Sequence, residues 1–168
     1  MIRILEPVTN EELDRVRDLF RSFVSWHRDV HEDDRHLIDR YFDAGKFEEE
    51  LAVLPGPYAS PDGRLLLALW NGEAAGAVAL RRIDDRTCEM KRMFVYQRFH
   101  GKGIGRALGE AILREARLLG YSSMRLDTSF RQVQAQALYR SLGFRTIDPY
   151  YELPQELREW LVFMELKL

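Results

Sequence analysis

The segment Met90–Arg106, which reads M-K-R-M-F-V-Y-Q-R-F-H-G-K-G-I-G-R, decides the fold class of this chain. An apolar strand enters a turn in which every second residue is glycine, and a helical pattern follows. Glycine has no Cβ, so the backbone can bend sharply and bring its N–H groups close to a ligand. These groups stand at a helix N-terminus, which favours anions and phosphate above all. We therefore predict a phosphate-binding loop at Gly101, Gly103 and Gly105, to which Lys102 adds positive charge.

Two well-known phosphate loops do not fit this pattern. A Walker A loop needs Ser or Thr directly after its Lys, and here Gly103 follows Lys102. A dinucleotide fingerprint needs its third glycine at position 106, which is Arg106, and it lies in the first strand–helix unit of its fold. A glycine-rich turn without a ligand is the remaining alternative. A glycine-rich turn without a ligand does not need the positive charges of Lys102 and Arg106.

Length and charge limit the classes of protein to which the chain can belong. Its 168 residues predict a single domain, 1–168, that buries roughly two-thirds of its unfolded surface. The formal net charge is -2, with both signs interspersed. This balance gives no electrostatic argument for nucleic acid or an anionic membrane as a partner.

Apolar runs and cysteine content predict a cytoplasmic protein. The first residues contain no extended apolar stretch typical of a signal peptide. The longest apolar run, Leu65–Trp70, is too short to span a bilayer. Cys88 is the single cysteine, which excludes an internal disulfide and fits a reducing compartment. A nucleophilic Cys88 is an alternative, but a buried strand cysteine is the preferred interpretation.

The amino-terminal half predicts a strand, two helices and a meander. Thr9 and Glu12 form a capping box, and apolar residues at helical spacing extend a helix over about 10–26. Asp29–Arg40 is strongly charged and is predicted to be loop or exposed helix, and a short helix surrounds Phe47–Leu54. The predicted meander strands are Leu65–Trp70, Ala75–Arg82 and Thr87–Val95, with a type I′ turn at Asn71-Gly72.

After the glycine turn the pattern changes to alternating helices and strands. A long helix ends at Gly120, and strand Ser123–Thr128 follows it. The remaining elements are a helix at Val133–Leu142 and strands at Phe144–Ile147 and Trp160–Leu168. One parallel crossover therefore lies in a mostly antiparallel sheet. We predict an α+β, or mixed α/β, fold with a ligand beyond the carboxyl end of the parallel strand.

Three segments agree with one protein family in both spacing and order. Arg98-Phe-His-Gly101-Lys-Gly103 matches an Arg/Gln-x-x-Gly-x-Gly/Ala pyrophosphate loop. Cys88–Val95 precedes it and Ala137–Phe144 follows it, as in that family. Over essentially its whole length the chain resembles the GNAT superfamily of acyl-CoA-dependent N-acyltransferases. The resemblance implies a twisted sheet of about seven strands, a splayed parallel pair at the cofactor site and four flanking helices.

The resemblance also implies an acetyl-CoA site and no metal. The backbone of the glycine loop is expected to hold the pyrophosphate, and pantetheine is expected to pair with the strand before it. The residues assigned to the cofactor are Met93, Phe94, Val95, Arg98, Gly101, Lys102, Gly103, Ile104, Gly105 and Arg106. The family often has Asn seven residues before its catalytic tyrosine, and this chain has Gln132 there.

The resemblance implies a catalytic role for Tyr139, and the chemistry of acetyl transfer suggests one for Glu89. Tyr139 occupies the position of the general acid, and a phenol pKa of about 10 is near that of a thiol. Its alternative is a core side chain. Glu89 is the candidate base and is predicted to share a strand face with Lys91 and Met93. The alternatives are an ion pair for Glu89 and an ordered water as the base.

Two polar stretches raise further hypotheses. His27 and His31 are spaced i, i+4, which can bind zinc on a helix, but a solvated charged loop is the preferred interpretation. The acidic residues of Asp29–Arg40 are one candidate wall for an amine acceptor, and Tyr150-Tyr151-Glu152 is a second.

The sequence thus predicts an acetyltransferase that moves an acetyl group from acetyl-CoA to a primary amine in a ternary complex. The acceptor is a small molecule or peptide of open identity, and a homodimer is an option that the family allows. The alternative is a non-catalytic acyl-CoA-binding regulatory module.

Overall fold

A seven-stranded sheet in the order β1-β2-β3-β4-β5-β7-β6 forms the centre of the computed structural model, which describes residues 1–168. The strands are β1 (Ile2–Leu5), β2 (Arg64–Trp70), β3 (Glu73–Arg82), β4 (Thr87–Val95), β5 (Ser123–Ser129), β6 (Arg145–Ile147) and β7 (Leu161–Lys167). Every neighbouring pair is antiparallel except β4 and β5. The predicted mixed α/β fold with a mostly antiparallel sheet is therefore confirmed.

The sheet carries six α-helices, two more than the four predicted. They are α1 (Asn10–Val30), α2 (Arg35–Tyr41), α3 (Ala44–Ala52), α4 (Ile104–Leu118), α5 (Val133–Leu142) and α6 (Gln155–Trp160). The helices beyond the predicted four are α2 and α6, which have only 7 and 6 residues. Such short helices depend on tertiary packing rather than on a periodic pattern. No helix has the length and apolarity needed to cross a membrane.

Apolar residues on the two faces of the sheet form two separate cores. The first core packs α1, α2, α3 and α6 against one face, with Phe20, Ile38 and Leu51 fully buried. The second core packs α4 and α5 against the other face around Leu108 and Ile112. The alternation of strand residues supplies apolar side chains to both faces, which fixes the register of the sheet.

Two backbone features shape the meander. Asn71 and Gly72 have φ values of +47° and +88°, as the predicted type I′ turn requires. Near the end of β4 a bulge places Arg92 and Met93 together opposite one residue of β3, and Arg92 has a φ of +59°. The bulge turns Met93 toward the second core, next to Gly109 of α4. The prediction that Met93 shares a face with Glu89 is therefore wrong.

The parallel strands separate toward their carboxyl ends. β4 and β5 pair from Thr87 with Ser123 to Glu89 with Arg125, and no pair follows. Beyond Glu89, β4 has no strand on its β5 side. The splayed parallel pair that the resemblance implied is thus present, and the opening between the strands points toward the glycine turn.

Candidate active site

A cleft of about 600 Å³ lies between the end of β4, the glycine turn and the start of α5. Its walls include Val95, Gly101, Gly103, Gly105 and Leu138. The structure therefore brings the predicted glycine turn and the open edge of β4 to one surface.

We call residues 101–106 the glycine loop. The backbone N–H groups of these residues donate to no backbone carbonyl. The first hydrogen bond of this stretch runs from the N–H of Ala107 to the carbonyl of Gly103 at 3.0 Å. Gly101 and Gly103 have φ values of +80° and +79°, and no atom lies within 4 Å of the place of a Cβ on either. Consecutive free donors at a helix N-terminus form an anion-binding site.

The cations around the glycine loop lie at its rim. The guanidinium of Arg98 stacks on the ring of Tyr96 at 4.6 Å, and Lys102 Nζ lies 5.0 Å from the centre of the Trp70 ring. Arg106 forms an ion pair along α4. All three side chains are exposed. Their positive charge therefore surrounds the cleft without filling it.

A second, narrower cavity occupies the gap between β4 and β5. Its volume is about 40 Å³, so it has room for reacting groups and not for a whole cofactor. Phe23, Met93 and Gln132 line both the cleft and this cavity, which therefore adjoin each other. The cavity also contains Tyr139 from α5 and Asp127 from β5. We call it the reaction cavity.

Tyr139 is a buried tyrosine whose hydroxyl has no hydrogen-bond partner in the protein. It is 5% exposed and packs in the second core, beside Phe144. Burial, with a smaller contribution from the negative charge of Asp127, raises the pKa of Tyr139 above its ordinary value. The phenol is therefore protonated at neutral pH and is able to donate a proton into the reaction cavity.

Asp127 is a half-buried carboxylate held by two tyrosines. Its Oδ1 accepts a hydrogen bond from the Tyr41 hydroxyl, and its Oδ2 accepts one from the Tyr151 hydroxyl at 2.7 Å. The Tyr41 hydroxyl in turn accepts a hydrogen bond from Lys91 Nζ at 3.2 Å. No cation forms a direct ion pair with Asp127 within 4.0 Å, which leaves its remaining lone pairs available to a ligand.

Comparison with known proteins identifies the family. The sequence profile of the acetyltransferase (GNAT) family matches residues 14–144. The chain belongs to this family. It is a GNAT acetyltransferase, as its sequence pattern indicated.

Individual relatives agree with this result. An uncharacterised N-acetyltransferase of Dictyostelium discoideum is 28% identical over 100% of this chain and 99% of its own. The N-acetylaspartate synthetase of Danio rerio is 37% identical over 71% of this chain, but the match covers only 44% of the synthetase. The paia N-acetyltransferase of Thermoplasma acidophilum, solved with coenzyme A, has the same fold, with a TM-score of 0.74 over 100% of this chain and 99% of that chain at 19% identity.

Glu89 lies outside the reaction cavity of this acetyltransferase. Its side chain is 1% exposed, and its Oε1 accepts a hydrogen bond from Arg81 Nε at 2.7 Å. Its Oε2 accepts a hydrogen bond from the Tyr150 hydroxyl. The arginine balances its charge, so this geometry does not favour the role of base, which stays an untested prediction.

Asp127 and Tyr41 were not among the site residues predicted from the sequence. Asp127 lay in a correctly predicted strand, and its only signal was a charged side chain near the carboxyl end of a parallel strand. Tyr41 lies at the end of α2, just past the charged stretch predicted as loop or exposed helix. Their contact joins residues 86 positions apart, which no local pattern reports.

Cys88 and Gln132 have structural partners. Cys88 is fully buried in β4, and burial raises the pKa of its thiol to about 12, which disfavours a nucleophilic role. Gln132 lines the cleft, but its Oε1 accepts hydrogen bonds from the Thr128 hydroxyl at 2.5 Å and the Ser129 N–H at 3.3 Å. Its side-chain oxygen thus stabilises the turn between β5 and α5.

His27 and His31 lie in an aromatic cluster beside the cleft. Their ring centres are 4.9 Å apart, and Trp26 and Trp160 contact them. Nowhere in the chain do three or more His, Cys, Asp or Glu side chains form a group suited to a metal ion. Asp34, from the acidic stretch, instead accepts a hydrogen bond from the Trp160 indole at 3.1 Å. This cluster fixes the carboxyl end of α1 near the reaction cavity.

Acid is expected to destabilise the protein through His27, whose pKa burial lowers to about 4. Below the ordinary pKa of about 6.5, the unfolded chain binds a proton that the folded chain excludes. Stability therefore falls as the pH drops from about 6.5 and stops falling near 4, a total of about 3 kcal/mol. Urea unfolding at about pH 7 and about pH 4 measures this loss.

The variant His27→Leu removes the titrating group, so the wild type should lose about 3 kcal/mol more than this variant over the same pH range. His36→Leu is the matched control, because His36 is exposed and pairs with Glu156 at the surface. Equal pH dependence in the wild type and His27→Leu would contradict the assignment.

Proposed function

We propose that this acetyltransferase moves the acetyl group of acetyl-CoA to a primary amine of a small molecule or peptide, by direct attack within a ternary complex. The observation that carries the proposal is that the cleft and the reaction cavity adjoin each other and share lining residues. Free N–H groups of the glycine loop stand at one end, and Tyr139 and Asp127 stand at the other. A pyrophosphate site beside a reaction site matches the pyrophosphate and the thioester of an acyl-CoA, which the pantetheine arm connects.

In this proposal the protein binds the donor through backbone groups. The glycine loop binds the pyrophosphate with its free N–H groups and with the dipole of α4. Arg98, Lys102 and Arg106 add long-range attraction from the rim. The backbone of Met93, Phe94 and Val95, on the strand edge that β5 leaves open, pairs with the amides of pantetheine as an added strand would.

The reaction needs a base, a polarising group and an acid. Asp127 accepts the proton of the incoming ammonium, directly or through one water. A backbone N–H of Phe94 or Val95, just after the bulge, polarises the thioester oxygen. Tyr139 donates its proton to the departing thiolate. Burial in the same cavity raises the proton affinity of thiolate and phenolate alike, so the pKa values of the CoA thiol and the Tyr139 phenol stay close to each other.

The acceptor is an amine of low molecular weight or a peptide amine. N-acetylaspartate synthetase, by its name, acts on aspartate, and its similarity extends over 71% of this chain. The similarity to this relative favours the interpretation that the acceptor is a small amino compound. Tyr151 belongs to the predicted wall Tyr150-Tyr151-Glu152 and contacts Asp127 through its hydroxyl, so this loop bounds the acceptor side.

Thermal unfolding with acetyl-CoA tests the donor site. Ligand at about a hundred times Kd stabilises by about 2.7 kcal/mol, which raises the Tm by about 5–10 °C for a chain of this size. ATP and NAD serve as control ligands and should give no comparable rise. The variant Gly103→Val should lose the rise, because its side chain enters the open space above the glycine loop.

A matched control separates this effect from backbone strain. Gly120 also has a positive φ, +87°, with open space at its Cβ position, but it lies at the far end of α4. Gly120→Val should therefore lose similar stability and keep the full response to acetyl-CoA. An undiminished response in Gly103→Val would remove the glycine loop from the donor site.

A further inference from the structure

Lys91 is a cation of the reaction cavity with unused hydrogen-bond donors. Its ammonium has three N–H groups, and its side chain is only 13% exposed. One N–H donates to the Tyr41 hydroxyl at 3.2 Å. The nearest carboxylate oxygen, Glu89 Oε1, is 4.0 Å away and beyond hydrogen-bond distance. Burial lowers the pKa of Lys91, as expected for a cation with too little compensation.

The neighbouring cations have partners of their own. Arg92 donates to both oxygens of Glu50, at 3.1 and 3.3 Å, and Arg81 is bound to Glu89 at 2.7 Å. These guanidinium groups are therefore neutralised by protein carboxylates. Lys91 is left as the cation able to bind an anionic group in the reaction cavity.

Lys91 and Asp127 lie side by side because both contact the Tyr41 hydroxyl. The cavity therefore presents a positive and a negative group at neighbouring points. The complement of this pair is a molecule with a carboxylate next to an ammonium. An α-amino acid has this arrangement, since its amine and its carboxylate are attached to the same carbon atom.

We infer that the acceptor is an α-amino acid, with its carboxylate bound by Lys91 and its amine by Asp127. This inference rests on the proposed function and narrows its acceptor from primary amines in general to aminocarboxylates. Polyamines and peptide N-termini have no free carboxylate beside the reacting amine, so they leave the buried charge of Lys91 without a partner. The enzyme then favours amino acids because Lys91 binds their carboxylate, and it disfavours other amines because they leave Lys91 without a partner.

The test compares each proteinogenic L-amino acid with its α-carboxamide, which keeps the amine and side chain but removes the negative charge. Release of the CoA thiol from acetyl-CoA gives kcat/KM for both. The best amino acid should exceed its carboxamide by roughly 10- to 100-fold, the range for a hydrogen bond between charged groups. Lys91→Met should abolish this preference, Lys91→Arg should retain much of it, and Lys46→Met, at an exposed site on α3, should leave it unchanged.

Two results would overturn the inference: equal rates for amino acids and carboxamides in the wild type, or an equal loss for both substrates in Lys91→Met. A third result, acetyl-CoA binding without thiol release for any amine, would refute the proposed function instead. After that third result, thermal unfolding of the CoA-saturated protein tests the inference about the acceptor separately. Stabilisation by an amino acid but not its carboxamide, lost in Lys91→Met, supports the carboxylate site, and no stabilisation overturns it.

Discussion

Replacing Tyr139 with phenylalanine is expected to lower kcat by about 100-fold or more and to leave acetyl-CoA affinity unchanged. A positioned general acid accelerates such a step by about 10²–10⁴-fold. The substitution removes only the hydroxyl of a residue that lines the reaction cavity, and this hydroxyl has no protein partner. Folding stability should therefore change little. Thiol release at saturating substrates measures kcat, and the Tm rise with acetyl-CoA reports binding.

Tyr121→Phe is the matched control for this experiment. Tyr121 packs in the same core as Tyr139, but its hydroxyl donates to the Asp62 carbonyl at 2.6 Å, away from the cavity. The control should lose about 1 kcal/mol of stability and keep its kcat. Full activity in Tyr139→Phe would show that Tyr139 is only a core side chain.

Asp127→Asn is expected to lower kcat/KM for the amine by about 100-fold near neutral pH. The amide keeps the shape of the side chain but cannot accept a proton from the incoming ammonium. The deficit should shrink as the pH rises toward the pKa of the amine, because solution then supplies the neutral nucleophile. The pH profile of kcat/KM therefore distinguishes a lost base from a distorted site, which would be impaired equally at every pH.

Glu89→Gln tests the competing base that the sequence suggested. Its carboxylate is bound to Arg81 and Tyr150, so its replacement should reduce stability more than it alters the pH profile. If Glu89→Gln shows a deficit relieved at high pH and Asp127→Asn does not, the role of base belongs to Glu89.

Features governed by local chemistry were predictable from the sequence. Thr9 and Glu12 form both hydrogen bonds of the capping box at 3.1 Å, because spacing alone places their side chains at the first turn. Asn71-Gly72 forms its turn because few other residues tolerate positive φ. The helix α6 was missed because its six residues are stabilised by tertiary contacts such as the burial of Trp160.

The candidate site was predictable only in part, for a similar reason. The glycine loop is a continuous motif, so its position was readable from the chain. The bulge at Arg92 left no mark in the sequence, yet it determines which face Met93 occupies. The contacts of Tyr41 and Lys91 around Asp127 join three separate elements. Such a cluster exists only once the sheet has brought those elements together.

The most direct measurement is identification of the product after incubation of the protein with acetyl-CoA and L-amino acids. Mass spectrometry of the reaction and titration of free thiol give the amounts of N-acetyl amide and of released CoA. The proposed function predicts one amide for each thiol released, with the rates of both reduced together in Asp127→Asn. Stable binding of acetyl-CoA without amide formation from any amine would contradict it and would indicate a non-catalytic acyl-CoA-binding module.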